Sequence, residues 1–412
     1  MKNNFLLEMK SRGYLNQCTD LDNLAQISEK KSISGYIGFD CTAKSLHVGS
    51  LLQIMILKLM QKHGHRPIIL LGGGTTLIGD PSGKDATRKI LHQKEIQKNI
   101  KSIKKVFFKI LDFSNKKTKP MFVDNAKWLT KLNYIKFLRD IGSHFTINKM
   151  LSFDSVKLRL ERKQSLSYME FNYMILQAYD FYQLFKKNKC ILQIGGSDQW
   201  GNIVNGVELI RRMLKKESFG ITSPLITLAS GAKMGKTEKG AVWLNQKLFS
   251  PYDYWQFWRN TDDRDVKRFL NFFTEIDTLK IDEICNEEQN INQLKIILAN
   301  EATKILHGVK AAKNAEKTAK DTFEGKGYSL NLPEIPVKEK EIDQGINLLS
   351  FLSKNKIMSS KSEARRAIIN NGLKINDILI KDEKKIIIIS DFRNKIMKIS
   401  HGKKRHYLVK II

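Results

Sequence analysis

The chain has 412 residues, 42% of them hydrophobic and 9% aromatic, with a formal net charge of +29. Its length exceeds one ordinary core and calls for two or three domains; no apolar run nears the roughly 20 residues that span a bilayer, and the opening MKNNFLLEMKSRGYLNQ lacks the apolar block and cleavage site of a signal peptide. Cys18, Cys41, Cys190 and Cys285 lie far apart with no C-x-x-C pair, which argues against a disulfide framework or a zinc cage and for a cytoplasmic protein, while the charge favours a polyanion partner, nucleic acid first, although a chain this rich in Lys, Ile and Asn owes part of its lysine to composition.

From about Tyr36 to Thr227, short apolar strands alternate with longer helical stretches, the pattern of a parallel α/β sheet. The first unit is GFDCTAKSLHVGSLL. Tyr36 to Phe39 reads as a strand, Thr42 to Ser45 as a polar crossing, and Leu51 to Met60 as an apolar helix. A strand, tight turn and helix start offers backbone N–H groups to an anion. His47 would sit in the first helical turn, and Gly49 would let a ligand approach the backbone. PIILLGGGTTLIGD and CILQIGGSDQWGN read as further strands ending in glycines, where open α/β sheets bind ligands.

Several motifs fail. GDPSGKD has three residues, not four, between Gly79 and Gly83, and Asp85 in place of Ser/Thr, so it is no P-loop. LGGGTT lacks dinucleotide spacing, IGGSDQW is no nucleophile elbow, and no H-E-x-x-H occurs. Covalent-nucleophile, hydride-transfer and metallohydrolase chemistry lose support, and no protein metal site is expected. In FNYMILQAYD, Tyr173, Gln177 and Asp180 share one face of an otherwise apolar helix. Such a stripe is satisfied either by a structural network or by a ligand. GAKMGKTEKG sets Lys233, Lys236 and Thr237 among glycines: a solvated hairpin tip, or a loop that closes over phosphates. Residues from about Ser250 to Gly325 read as helical, Glu324 to Lys340 as a linker by its Pro and Gly content, and Ile346 to Ile412 as a compact basic module.

The histidine-glycine turn and the lysine loop about 185 residues later together resemble the two ATP motifs of class I aminoacyl-tRNA synthetases. The ordered set YIGFDCTAKSLHVGSL, GDPSGK, YMILQAYD, LQIGGSDQWGN and KMGKTEKGAVWL resembles the bacterial tyrosyl-tRNA synthetases, and SPYDYWQFWRNTDDRDV and the tail extend the likeness to nearly the whole chain. The resemblance implies an α/β fold: a Rossmann-like parallel-sheet catalytic domain (1–230), the lysine loop with a helical anticodon-binding domain (231–325), a linker (326–345), and a small α+β S4-like RNA-binding domain (346–412). It implies activation of L-tyrosine with ATP, with magnesium on the ATP phosphates, and transfer to the 3′ end of tRNA(Tyr) by a homodimer without membrane attachment.

By the same resemblance, Tyr36 and Asp180 meet the substrate phenol, Tyr173, Gln177 and Asp80 surround its ammonium group, and Gln199 lies beside it. Thr42 and His47 meet the leaving phosphates. Lys84, Arg88, Lys233, Lys236 and Thr237 form the basic set that closes on them. Gly196 and Asp198 contact the ribose, with Gly49 and Ser50 at the nucleotide. Arg211 and Arg212 match acceptor-stem contacts and Asp262 an anticodon contact; Lys361, Arg365, Arg366, Lys403, Lys404 and Arg405 form the basic clusters of the tail, which position RNA through its phosphates.

Four positions depart from the family pattern. Ser50 stands where a second histidine or asparagine is usual, so Ser50→His or Ser50→Asn is expected to leave activity intact or raise it. Cys41 replaces a usual proline, which would loosen the turn; Lys44 replaces an acid; Thr76 stands where glycine is frequent. A tryptophan-specific relative typically lacks the tail module and the Tyr36/Asp180 pair, and a decayed RNA-binding synthetase would not need His47, Asp80, Lys233 and Lys236.

Overall fold

The computed structural model describes residues 5–80, 91–231, 234–237, 240–323, 332–392, 395–402 and 405–412, with the backbone alone at 154–155, 236–237 and 322–323. By internal packing the chain divides into two compact units: residues 1–235, 241–245 and 262–289 form the first, and residues 236–240, 246–261 and 290–412 the second.

The first unit is built on a six-stranded sheet. Its strands are β1 (Gln17–Cys18), β2 (Ser34–Asp40), β3 (Arg66–Gly72), β4 (Met121–Asp124), β5 (Cys190–Gly196) and β6 (Phe219–Ser223), in the order β1-β6-β5-β2-β3-β4. All neighbours are parallel except β1, which runs antiparallel along β6. β3 reads RPIILLG and is buried over six of its seven residues, as a central parallel strand covered on both faces must be. The chain runs outward from β2 to β3 and β4, then returns to the other side of β2 as β5. That reversal opens a crevice at the carboxyl ends of β2 and β5, where ligands of open α/β sheets bind.

The helix after β2, Leu51–Lys62, is apolar nearly all round and buries eight residues. A helix of that kind needs cover on every side. It packs on β2 and β3, and its outer side meets the Phe5–Ser11 and Val266–Phe273 helices, which is why residues 262–289 belong to this unit. Arg12 clamps the junction, donating to the carbonyls of Asn271 (3.0 Å), Thr274 (3.1 Å) and Ile276 (2.8 Å).

In the second unit, the helices Pro251–Arg259, Ile291–His307 and Val309–Phe323 pack together. The C-terminal module is a five-stranded sheet whose last pair, Glu334–Val337 and Arg405–Ile411, is parallel. Here the composition misleads. Glu334–Val337 lies in the stretch read as linker, yet it is an edge strand, and Val337 and Ile342 are buried in the module's core. Pro336 is compatible with a strand because the position is at the sheet edge. No helix among the described residues is long and apolar enough to cross a membrane.

Candidate active site

At the reversal between β2 and β5 lies a cavity of about 220 Å³. Its lining includes Tyr36, Asp80, Tyr173, Gln177, Asp180 and Gln199, the six side chains expected around the amino acid, together with Gly196. β2 and β5 supply the floor, and the Tyr173–Asn188 helix delivers its polar stripe from above.

One wall is set for a hydroxyl. Asp180 is 1% exposed; its carboxylate accepts from Trp128 Nε1 at 2.7 Å and Asn125 Nδ2 at 2.8 Å. Burial pushes its pKa up to about 7, against the two hydrogen bonds and with the help of Asp40 and Asp124. Tyr36 is equally buried, and its Oη has no partner. Burial, with the nearby Asp180 charge, holds that phenol well above its ordinary range, so it stays protonated. A buried hydroxyl without a partner is costly, and this one belongs to a residue of the cavity lining.

The other wall is a relay of amides ending on an acid. Gln177 Nε2 donates to Gln199 Oε1 (3.2 Å), and Gln199 Nε2 donates to Asp80 Oδ2 (2.9 Å). Asn202 Nδ2 donates to both Gln177 Oε1 and Gln199 Oε1, each at 3.1 Å. Tyr173 Oη donates to Asp40 Oδ1 at 3.4 Å, and Thr75 Oγ1 to the same oxygen at 3.3 Å. The helix stripe is therefore tied into a structural network and also lines the cavity.

The histidine-glycine turn is built differently from a bare helix start. His47 caps a short 3₁₀ turn, Val48–Ser50, and its Nδ1 accepts from the Gly49 N–H at 3.0 Å. One N–H expected to face an anion is thus taken by the histidine itself, which leaves Nε2 as the protonated nitrogen of the neutral ring. Gly49 is required by its neighbours: a Cβ there would fall 2.7 Å from His47 Cε1 and 2.8 Å from the Met234 carbonyl. Gly235 faces the same ring with φ +117°, a conformation that favours glycine. Backbone bonds Val48 N to Val242 O (2.8 Å) and Leu244 N to Leu46 O (2.9 Å) tie the turn to the segment after the lysine loop. Ser50 precedes the helix without a capping side-chain bond, and Thr42 is exposed in the crossing.

Asp198 is exposed in the Ser197–Gln199 turn. Lys236–Thr237 is a short strand whose side chains are not described, and Lys84, Arg88, Lys233, Lys403 and Lys404 lie outside the described residues. Arg211 and Arg212 end the Trp200–Leu214 helix on the surface, both paired with Glu208. Asp262 caps a turn and holds Arg264 through two bonds of 2.9 and 3.1 Å. Lys361, Arg365 and Arg366 share the exposed side of the Lys361–Ile369 helix; Arg365 pairs with Glu383 at 2.8 Å and Arg405 with Glu363 at 3.8 Å.

Sequence reasoning missed Asp40, Gln53, Thr75, Asn125 and Gln193, all in the cavity lining, and Trp128 behind Asp180. Gln193 had a signal, since it lies on a recognised strand opposite Tyr36. Asn125 and Trp128 had none.

Residues 28–324 match the family described as tRNA synthetases class I (W and Y), and residues 329–409 the tyrosine–tRNA ligase SYY-like C-terminal domain. The tyrosine–tRNA ligase of Pelagibacter ubique is 60% identical over 410 residues, covering 100% of both chains. That of Rickettsia prowazekii is 52% identical over 409 residues, covering 99% of this chain and 100% of its own. The fold is similar to the C-terminally truncated mitochondrial tyrosyl-tRNA synthetases of Aspergillus nidulans (28% identity, TM-score 0.69, 77% of this chain and 93% of that one) and Coccidioides posadasii (30%, 0.65, 76% and 91%).

Proposed function

The chain belongs to the tyrosine–tRNA ligases of class I, and from that premise we propose how its own residues divide the reaction that charges tRNA with tyrosine at the expense of ATP. The observation that carries the assignment is the single cavity holding Tyr36 and Asp180 at one wall and Asp80, Tyr173, Gln177 and Gln199 at the other. The substrate phenol donates to Asp180 and accepts from Tyr36 Oη; the ammonium group is held by Asp80, Tyr173 and Gln177, with Gln199 as the bridge. Phenylalanine would leave Tyr36 Oη without a partner and bring Asp180 no further donor, the asymmetry for which the family is known.

The tyrosine carboxylate attacks the α-phosphate of ATP, pyrophosphate leaves, and the 3′-terminal adenosine of the tRNA then takes the tyrosyl group. The protein positions the reactants and stabilises charge on the leaving group. His47, donating from Nε2, and Thr42 meet the leaving phosphates; Lys84, Arg88, Lys233, Lys236 and Thr237 close on them. Gly196 and Asp198 take the ribose, with Gly49 and Ser50 at the nucleotide. Magnesium would enter on the ATP phosphates, since a strongly hydrated ion takes most of its ligands from substrate and water. Arg211 and Arg212 would receive the acceptor stem; Asp262, which packs with the first unit, the anticodon; and the tail clusters the RNA backbone. The enzyme would work in the cytoplasm.

A homodimer is supported by an apolar groove of about 480 Å³ lined by Leu132, Tyr134, Phe137, Leu138, Tyr168 and Leu176, of which Tyr134, Leu138 and Tyr168 are exposed in the single chain. Sedimentation of the Leu138→Glu variant tests it; an unchanged dimer would move the interface elsewhere. For the site, pyrophosphate exchange into ATP should require tyrosine and ignore tryptophan. His47→Ala and Lys236→Ala should slow exchange while leaving tyrosine affinity nearly unchanged, and a collapse of affinity would overturn these roles.

A further inference from the structure

The Gln93–Ile110 helix, QKEIQKNIKSIKKVFFKI, carries six lysines and a single acid, Glu95. Ile96, Ile100, Ile103, Phe107 and Ile110 face the core. On the opposite side, Lys94, Lys98, Lys101, Lys105 and Phe108 recur at steps of four, three, four and three, and all five are exposed. At about 100° per residue they fall within about 80° of arc, along roughly 20 Å of helix.

Some exposed lysines on other helices meet a carboxylate one turn away, as Lys280 meets Glu283 (2.9 Å) and Lys304 meets Glu301 (2.6 Å); what sets this stripe apart is the exposed aromatic ring in line with its lysines. Lys94, Lys98, Lys101 and Lys105 make no ion pair with any described carboxylate, and like charges one turn apart repel. At the stripe's end Phe108 is 57% exposed, its ring 4.4 Å from that of Phe113, which stacks on Phe122 at 5.5 Å and 15°. The exposed ring is thus backed by two others and held in place. Phosphates are met by a row of cations, and bases stack on an aromatic face that reads no sequence. In a duplex the bases already stack on one another, so an exposed ring beside the cations favours an unpaired strand.

We propose that the face formed by Lys94, Lys98, Lys101, Lys105 and Phe108 binds unpaired RNA, with the lysines on successive phosphates and Phe108 under a base. None of these residues lines the tyrosine cavity.

The test uses the full chain, a labelled unstructured 20-nucleotide oligouridylate and a 20-base-pair RNA duplex. Replacing all four lysines by glutamine, which keeps helix propensity, should make the slope of log K against log salt shallower by about 3, at roughly 0.7 per lost phosphate contact. Affinity for the oligouridylate should fall at least about tenfold at 100 mM salt. Phe108→Leu should weaken the oligouridylate about fivefold or more, leaving its salt slope and duplex binding unchanged. Both variants should retain tyrosine-dependent pyrophosphate exchange. An unchanged salt slope in the lysine variant overturns the proposal, as does equal loss of duplex and single-strand binding. Ultraviolet cross-linking of the unaltered protein to oligouridylate should map to the 93–110 helix, and cross-links confined to the tail would also overturn it.

Discussion

Trp128→Phe removes the N–H that donates to Asp180, together with part of a buried ring. In the native chain the carboxylate accepts from Trp128 at 2.7 Å and from Asn125 at 2.8 Å, and burial has already lifted its pKa to about 7. A hydrogen bond to a charged group contributes about 1.5–3 kcal/mol, and each pKa step corresponds to about 1.4 kcal/mol. Losing the Trp128 bond therefore destabilises the charged form and should raise the Asp180 pKa by about one to two. At pH 7 the carboxyl becomes mostly protonated and no longer accepts the substrate phenol as an anion. Pyrophosphate exchange followed from pH 6 to 9 should show kcat/KM for tyrosine reduced about tenfold at pH 7, with the acid limb moved upward and the loss largely recovered near pH 9. Preference for tyrosine over phenylalanine should weaken at neutral pH and return with rising pH. A loss that is uniform across pH would make Trp128 a packing residue only, and an unmoved profile would mean that the Asp180 charge is not what the phenol reads.

Glu8→Gln should lower stability at pH 7 by about 1–3 kcal/mol, since the carboxylate receives Arg12 (2.8 Å), Lys62 (2.8 Å) and His63 (2.8 Å). Burial alone would raise its pKa, but the bonds from His63, Lys62 and Arg12 outweigh it and hold the carboxyl well below the ordinary 4.5. The contribution is therefore present above about 4.5 and declines below it, so thermal melts of the two proteins should converge as pH falls from 5 toward 3. Gly49→Ala should slow tyrosine activation by about tenfold or more with tyrosine affinity retained, measured by exchange kinetics and equilibrium dialysis, because the new methyl would press on His47 and on the Met234 carbonyl. Thr76→Val should cost about 1–3 kcal/mol in denaturant unfolding, as the buried Cys41 N–H loses its acceptor at 2.8 Å.

What the sequence disclosed and what it hid follow from the range of the interactions. β3 and β5 were legible because each is an apolar run ended by glycine, β2 because it is a short apolar run before a polar crossing, and the Tyr173, Gln177 and Asp180 stripe because helical period is local. Asn125 and Trp128 reach Asp180 across 55 and 52 residues of chain, from a segment whose own pattern carries no trace of that contact. The strand at Glu334–Val337 was hidden because Pro and Gly content reports local backbone preference, whereas its pairing partner lies more than 70 residues on. The departures at Cys41 and Thr76 show the same limit from the other side. Read singly, a cysteine in place of proline loosens the turn and a threonine in place of glycine adds bulk. In the fold, the Cys41 N–H, which proline would lack, donates to Thr76 Oγ1, and Asn99 Nδ2 donates to the Cys41 carbonyl at 2.9 Å. The hydroxyl and the amide hydrogen each give the other a partner in a buried place, so the two departures act as one and the turn ahead of His47 is pinned by bonds instead of by a ring.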